Sequence, residues 1–391
     1  MKILAAHNYY QVRGGEESIF ETEVDLLKAH GHEVLLYTIH NDLIRNMGRL
    51  EVAWATFWND AIYDEFRALV REHRPDIVHF HNTFPLISPA AYYAVRREGV
   101  PVVQTINNYR ILCPKAQFFR KGRVCEACID KRFKWPGIQY ACYRDDRLAS
   151  VVVTGMLAMH WYKGTWTEAV DAYVLGLTEF ARQKFIEAGL PSEKLFLKPN
   201  FVHPEPVPGK GKGRYALFIG RLSEEKGIHT LLEAWQRLSI PLKIAGDGPL
   251  RELVSEVAVQ HKFIEYLGRV SGDEVLNLMG DATFLVFPSV WYEGLPRTIV
   301  ESFARGTPII ASNLGAMSSL ITHAQNGLLF TPGKAQELAQ QVQMLWDAPD
   351  QQIALRRGAR AEYEAKYTAE RNYEMLMAIY EQAIAQKAKN S

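Results

Sequence analysis

Strand-like runs alternate with helical runs twice along this chain, and a proline- and glycine-rich stretch separates the two series. Short apolar runs at 2–7, 33–39, 76–80, 101–106 and 172–177 read as strands, while 17–30 carries Ile19, Phe20, Val24 and Leu27 at helical spacing. The alternation restarts at 215–219, 241–245, 263–267, 283–287 and 307–311. Strands separated by helices join as parallel neighbours through crossovers, so each series implies a doubly wound α/β sheet covered on both faces. Between them, residues 201–213 hold Pro204, Pro206, Pro208, Gly209, Gly211 and Gly213, the composition of a linker. A length of 391 residues also exceeds one ordinary core. The expectation is two α/β domains, 1–204 and 205–370, followed by a terminal helix at 371–391. The stretch 349–387 reads as helical throughout, with Met375, Leu376, Ile379, Tyr380 and Ile384 on one face.

Composition narrows the class. A hydrophobic fraction of 48% and a charged fraction of 23% exclude a disordered or fibrous chain. A formal charge of +1 excludes a globally basic nucleic-acid binder. No segment reaches the roughly 18–20 apolar residues of a membrane span. The first apolar run, Ile3 to Ala6, stops at His7, too short for the core of a signal peptide. The expectation is a cytoplasmic protein whose membrane contact, on the inner face, is peripheral.

Ligands of such sheets sit beyond the carboxyl ends of the strands. That rule gives weight to His79, His81, Asn82, Asn107 and Asn108, which end or follow strand-like runs. His79 and His81 alternate along one strand and share a face, which permits a two-histidine metal site, but no third ligand stands close in sequence. The preferred reading has one of them packing locally. Gly14 and Gly15 precede a helix and allow backbone to approach a ligand at its N-terminus; an ordinary tight turn fits as well. In the second series, Arg221 and Lys226 occupy a strand-end loop that suits a diphosphate, or equally a solvated salt-bridging turn. The turn 245–249 places small residues where a base or ribose can approach. Glu293-Gly294-Leu295-Pro296 follows a later strand, and Glu301 lies in the helix that Pro296 helps to start.

Together these segments resemble the GT-B glycosyltransferases of family 4, over nearly the whole chain. The matches are Gly14-Gly15, residues 75–82, Ser88-Pro89, Tyr109-Arg110 before Cys113-Pro114, Lys198-Pro199-Asn200, the 220–227 loop, 245–249, the Glu293…Glu301 pair and Gly306-Thr307-Pro308. The resemblance implies two Rossmann-like domains with an interdomain cleft and a C-terminal helix crossing back to the first. It also implies transfer from a UDP- or GDP-sugar with retention of configuration, to a glycan or lipid-linked acceptor in cell-surface polysaccharide or glycolipid synthesis. No cofactor or catalytic metal is required. Carried over by position, Arg221 and Lys226 hold the diphosphate, Glu293 faces the sugar and Glu301 the ribose. Backbone N–H groups at Gly15, Gly294 and Leu295 meet phosphate oxygens, and His81, Asn108 and Arg110 line the acceptor side.

Two departures stand out. Asn107, which the resemblance places among the catalytic residues with Glu293, Arg221 and Lys226, occupies a position where the family usually has histidine; asparagine can hydrogen-bond a sugar but cannot shuttle a proton near neutral pH. Ser319 stands where glutamate is common. They carry the alternative reading, a catalytically impaired relative that binds nucleotide-sugar or glycan. Retention of Arg221, Lys226, Glu293 and Glu301 favours the enzyme.

All four cysteines fall in one segment, Cys113, Cys125, Cys128 and Cys142. The count fits a tetrahedral structural zinc site; a redox dithiol, two disulfides or free thiols are the other readings. The surrounding loop, 113–147 of the first domain, has nine Lys/Arg against four Asp/Glu, interleaved with Phe118, Phe119, Phe133, Trp135 and Tyr140. Such a surface suits an anionic bilayer or a lipid diphosphate. It also suits single-stranded nucleic acid, or is a solvated loop with packed aromatics. The membrane or lipid-linked acceptor is preferred, and no nucleic acid is expected.

Overall fold

The computed structural model describes residues 1–389, in two compact units. Met1–Gln117, Glu126–Pro199 and the chain from Asn372 onward form the first; Phe118–Cys125 and Asn200–Arg371 form the second. In chain order the strands are β1 Lys2–Tyr9, β2 Glu33–His40, β3 Ile77–Phe80, β4 Val102–Ile106, β5 Phe119–Arg120, β6 Arg123–Val124, β7 Ala172–Leu175 and β8 Leu195–Leu197. They continue with β9 Ala216–Ile219, β10 Leu242–Ala245, β11 Ile264–Gly268, β12 Phe284–Phe287, β13 Ile309–Ser312 and β14 Gly327–Phe330.

The first unit carries a parallel sheet in the order β2-β1-β3-β4-β7-β8. Its central strands are buried along their length, which is why they read as unbroken apolar runs. Strand order reverses beside β1, so the crevice for a ligand opens where β1 and β3 end. After β1 the chain turns into helix α1, Gly15–Ala29. The Glu17 carboxylate accepts the Gly14 N–H at 2.7 Å and the Tyr10 N–H at 3.0 Å, closing the turn between them.

The second unit has the order β11-β10-β9-β12-β13-β14, and its switch point falls between β9 and β12. Phe218, Leu231, Trp235 and Val286 pack on one face of this sheet. Leu217, Leu285, Ile299 and Phe303 pack on the other. The short hairpin β5–β6 belongs to this unit, with the Phe118 ring buried 6.2 Å from that of Tyr292. The loop 113–147 is therefore divided, where the sequence led us to expect all of it in the first domain.

The C-terminal stretch is two helices, Pro349–Lys366 and Ala369–Lys389, rather than one. Tyr367 ends the first because its ring is buried in the second core, and the Thr368 hydroxyl then accepts the Arg371 N–H at 3.3 Å. Leu376, Ile379, Tyr380 and Ala383 of the last helix cover the first sheet at Ile3, Ile77 and Val103. No helix among the described residues is long and apolar enough to cross a membrane.

Candidate functional site

The loops after β9 and β12 bring the second unit's predicted residues together. Gly227 has φ +74°, and a Cβ there would lie 1.9 Å from the Pro288 carbonyl oxygen, so only glycine lets the two loops approach this closely. The Val290 N–H donates to the Glu225 carbonyl at 2.9 Å and locks the approach. In consequence the Lys226 Nζ lies 2.7 Å from the Glu293 Oε1, and the Ser289 hydroxyl donates to the same oxygen at 2.7 Å. Glu293 is buried, and the Lys226 ammonium sits over the rings of Trp291 and Phe287 at 5.4 and 5.7 Å. Arg221 is exposed and has no ion-pair or hydrogen-bond partner among the described residues, which leaves its guanidinium available to a phosphate oxygen.

Gly294 and Leu295 precede the helix Arg297–Ala304, and Pro296 is its N-cap. Glu301 lies just over one turn into that helix, with its Oε1 2.6 Å from the Arg297 Nε. Burial pushes its carboxyl up, and Arg297 opposes the shift. Ser319 is exposed in the short helix Ala316–Leu320.

In the first unit, His81, Asn107, Asn108 and Arg110 line one cavity, as the strand-end rule anticipates. Tyr10 and Glu16 complete its polar wall, and sequence reasoning had singled out neither. The Glu16 Oε1 accepts from the Asn108 Nδ2 at 2.8 Å, and its Oε2 accepts from the Tyr10 hydroxyl at 3.0 Å. Burial raises the Glu16 carboxyl; those two hydrogen bonds and Arg110 pull it back. The Asn108 Oδ1 accepts the Arg110 N–H at 2.9 Å, which orients its amide toward Glu16. Arg110 stacks over Phe84 at 4.8 Å and Tyr143 at 5.2 Å while donating to the Pro114 carbonyl. Asn107 Oδ1 is buried without a hydrogen-bond partner.

Behind this wall the two histidines separate in role. His79 is held by the Tyr380 hydroxyl and by the Thr105 hydroxyl, each at 2.7 Å. His81 Nε2 lies 3.1 Å from the Glu23 Oε1. The third ligand missing from the sequence is thus supplied in space by Glu23, whose oxygen lies within 4.8 Å of both imidazoles. A cation already occupies this carboxylate, however: the Lys198 Nζ is 2.5 Å from the Glu23 Oε2 and donates to the Asn372 Oδ1 at 2.9 Å. Burial works to raise the Glu23 carboxyl, yet Lys198, His81 and His79 together hold it well below the usual range. Glu23 had a sequence signal, since it falls on the apolar stripe of α1 with Phe20, Val24 and Leu27.

None of the four cysteines is in a disulfide, and Cys113 and Cys128 are buried. Burial pushes the Cys128 thiol up to about 12, with Cys113 and Cys142 adding to the shift. The basic surface is smaller than the charge count implies. Lys134 is fully buried and donates to the carbonyls of Cys128 and Lys131 at 3.1 and 3.0 Å. Phe118 is buried too, whereas Phe133, Trp135 and Tyr140 are exposed.

The family described as glycosyl transferases group 1 matches residues 203–362, and the glycosyl transferase 4-like domain matches residues 14–200. The D-rhamnosyltransferase WbpZ of Pseudomonas aeruginosa is 33% identical over 160 residues, 40% of this chain and 42% of that one. The chain thus spans under half of that relative. The uncharacterized glycosyltransferase MJ1178 of Methanocaldococcus jannaschii is 23% identical over 98% of both chains. Among solved structures, Anabaena Alr3699/HepE in complex with UDP superposes with a TM-score of 0.66 at 18% identity, covering 100% of both chains.

Proposed function

This chain belongs to the GT-B glycosyltransferases of the family 4 type, and we propose that it is a retaining enzyme acting on a UDP- or GDP-sugar. Its acceptor is a glycan or a lipid-linked sugar in cell-surface polysaccharide or glycolipid synthesis. The observation that carries this reading is the pairing of Lys226 with Glu293 at the switch point of the second sheet.

In this proposal the second unit holds the donor. Arg221 and Lys226 neutralise the diphosphate, Glu293 accepts hydrogen bonds from the transferred sugar, and Glu301 accepts from the ribose. The N–H groups of Gly294 and Leu295 are assigned to phosphate oxygens. The anomeric carbon–oxygen bond to the diphosphate breaks, and an acceptor hydroxyl bonds to the same face of that carbon. The hydroxyl proton passes to the departing phosphate. Catalysis is then chiefly electrostatic stabilisation of the leaving diphosphate, a task for fixed cations that needs no metal. The first unit, with Asn107, Asn108, Arg110 and His81 around one cavity, holds the acceptor. Exposed Phe133, Trp135 and Tyr140 with Arg144 and Arg147 are proposed to touch an anionic membrane.

A thermal-shift panel of nucleotides and nucleotide-sugars tests the reading. A ligand at about 100 times its dissociation constant stabilises by roughly 2.7 kcal/mol. UDP or GDP, and one of their sugars, should do so, and labelled sugar should then move to an acceptor with its anomeric configuration kept. No stabilisation by either nucleotide overturns it. Tight nucleotide binding without turnover, restored by Asn107→His, supports instead the impaired relative.

A further inference from the structure

The wall of the first unit's cavity holds hydrogen-bonding groups with positions left open. The Glu16 carboxylate offers about four lone-pair positions. Tyr10 and Asn108 fill one on each oxygen. Asn107 Oδ1 is buried and unpartnered. His81 Nδ1 is likewise buried and unpartnered. Buried acceptors without donors cost free energy, so a ligand that brings several O–H groups gains at every one of them. Phe84, Tyr92 and Trp166 supply the flat apolar lining against which a pyranose ring packs.

We infer that Glu16 and Asn107 form the receptor for adjacent hydroxyl groups of a sugar ring on the acceptor, with Glu16 the residue that sets acceptor specificity. This rests on the transferase reading above. Glu16 is positioned for the task. Its neighbour Glu17 spends its own oxygens on the Gly14 and Tyr10 N–H groups, so the two consecutive carboxylates have different work. Tyr10 and Asn108 clamp Glu16 from both sides, and Asn108 is itself fixed by the Arg110 N–H. A fixed carboxylate with one open position on each oxygen matches two vicinal hydroxyls and repels a phosphate monoester, although Arg110 stands close enough to lower its carboxyl. The group recognised is then a neutral pyranose.

The test uses the full chain with methyl α-D-mannopyranoside, methyl α-D-glucopyranoside and methyl α-D-galactopyranoside, read by saturation-transfer difference NMR. At least one should bind the wild type. Its dissociation constant should rise about tenfold in Glu16→Gln, which keeps the shape and removes the charge. It should rise again in Asn107→Ala, an independent arm that leaves the Tyr10–Glu16–Asn108 clamp in place. Because burial raises the Glu16 carboxyl, wild-type binding should strengthen as pH rises through its titration, and Glu16→Gln should be flat. Failure of all three glycosides to bind, or equal binding by Glu16→Gln, overturns the inference. A nucleotide thermal shift run in parallel separates the two readings: if UDP or GDP stabilises both proteins while glycoside binding ignores Glu16, only the inference on the acceptor fails.

Discussion

Lys226 Nζ stands 2.7 Å from Glu293 Oε1, joining two loops of one unit across 67 residues of sequence. The two side chains differ in exposure, 21% for Lys226 and 6% for Glu293. The ammonium is therefore the partner that a ligand can reach, while the carboxylate behind it is fixed by Ser289 as well. A diphosphate arriving at this loop would meet Arg221 free and Lys226 already poised by its counter-ion.

That asymmetry separates two substitutions that a sequence motif would treat alike. Arg221→Met removes an exposed cation with no partner among the described residues, and should change stability by no more than about 0.5 kcal/mol. Lys226→Met also strips the partner from the buried Glu293 carboxylate, and should lower the melting temperature without ligand. Both should lose at least about tenfold in nucleotide affinity, by analogy with other charge-assisted contacts. Thermal melts with and without UDP or GDP read both effects. Equal melting temperatures for the two ligand-free variants would refute the distinction.

Gly227→Ala should damage the same site through the backbone. The left-handed φ of +74° and the 1.9 Å approach of a Cβ to the Pro288 oxygen leave no relaxation that keeps both loops in place. A loss on the order of 2 kcal/mol or more is expected in urea unfolding, together with weaker nucleotide binding. Gly272→Ala, where a Cβ meets nothing within 4 Å, is the matched control and should be near neutral.

How far the sequence discloses this site depends on the range of the interactions that build it. The central strands were legible because burial on both faces makes them continuous apolar runs. Strands β8 and β14 were not, since three and four residues, one run led by Gly327, give no pattern against their flanks. The motif residues Arg221, Lys226 and Glu293 could be named from local spacing, but their contact comes from strand order, which spacing does not contain. Glu23 and Lys198 meet 175 residues apart, and that contact is contained in neither one's local sequence. Glu16 was hidden by Glu17, because the two look equivalent until the turn assigns one to the backbone. Lys134 was counted with a basic surface for the same reason: charge counting does not know which side chain the fold encloses.

The buried Lys198–Glu23 pair should behave as a coupled unit. Lys198→Met leaves an uncompensated carboxylate beside His79 and His81, and a cost of about 3–5 kcal/mol is expected. Adding Glu23→Gln removes the orphaned charge, so the double variant should recover a large part of that loss. The Glu23 carboxyl is held below its unfolded value, so its contribution is present above the ordinary carboxylate range and is lost as pH falls through the folded value. A double-mutant cycle by urea unfolding at neutral pH checks the coupling. Strict additivity of the two single substitutions would show that the pair is not a unit.

Lys134 supplies the pH dependence on the alkaline side. Burial pulls its ammonium down to about 8, against the attraction of Cys128 and Cys113. A base whose folded pKa lies below its unfolded value binds fewer protons folded than unfolded between those two values. Stability therefore rises with pH across that interval, from about 8 toward the ordinary lysine value near 10.4. Cys128 works in the opposite direction above the ordinary thiol range, because burial keeps it protonated when the unfolded thiol would ionise. Between about pH 8 and 10, comparison with Lys134→Met, which keeps Cys128, isolates the lysine. Over that window, melting temperatures of the wild type should rise relative to those of Lys134→Met, whose neutral side chain has no proton to lose. A constant difference between the two proteins would place Lys134 in contact with solvent and return it to the basic surface that its sequence neighbours suggest.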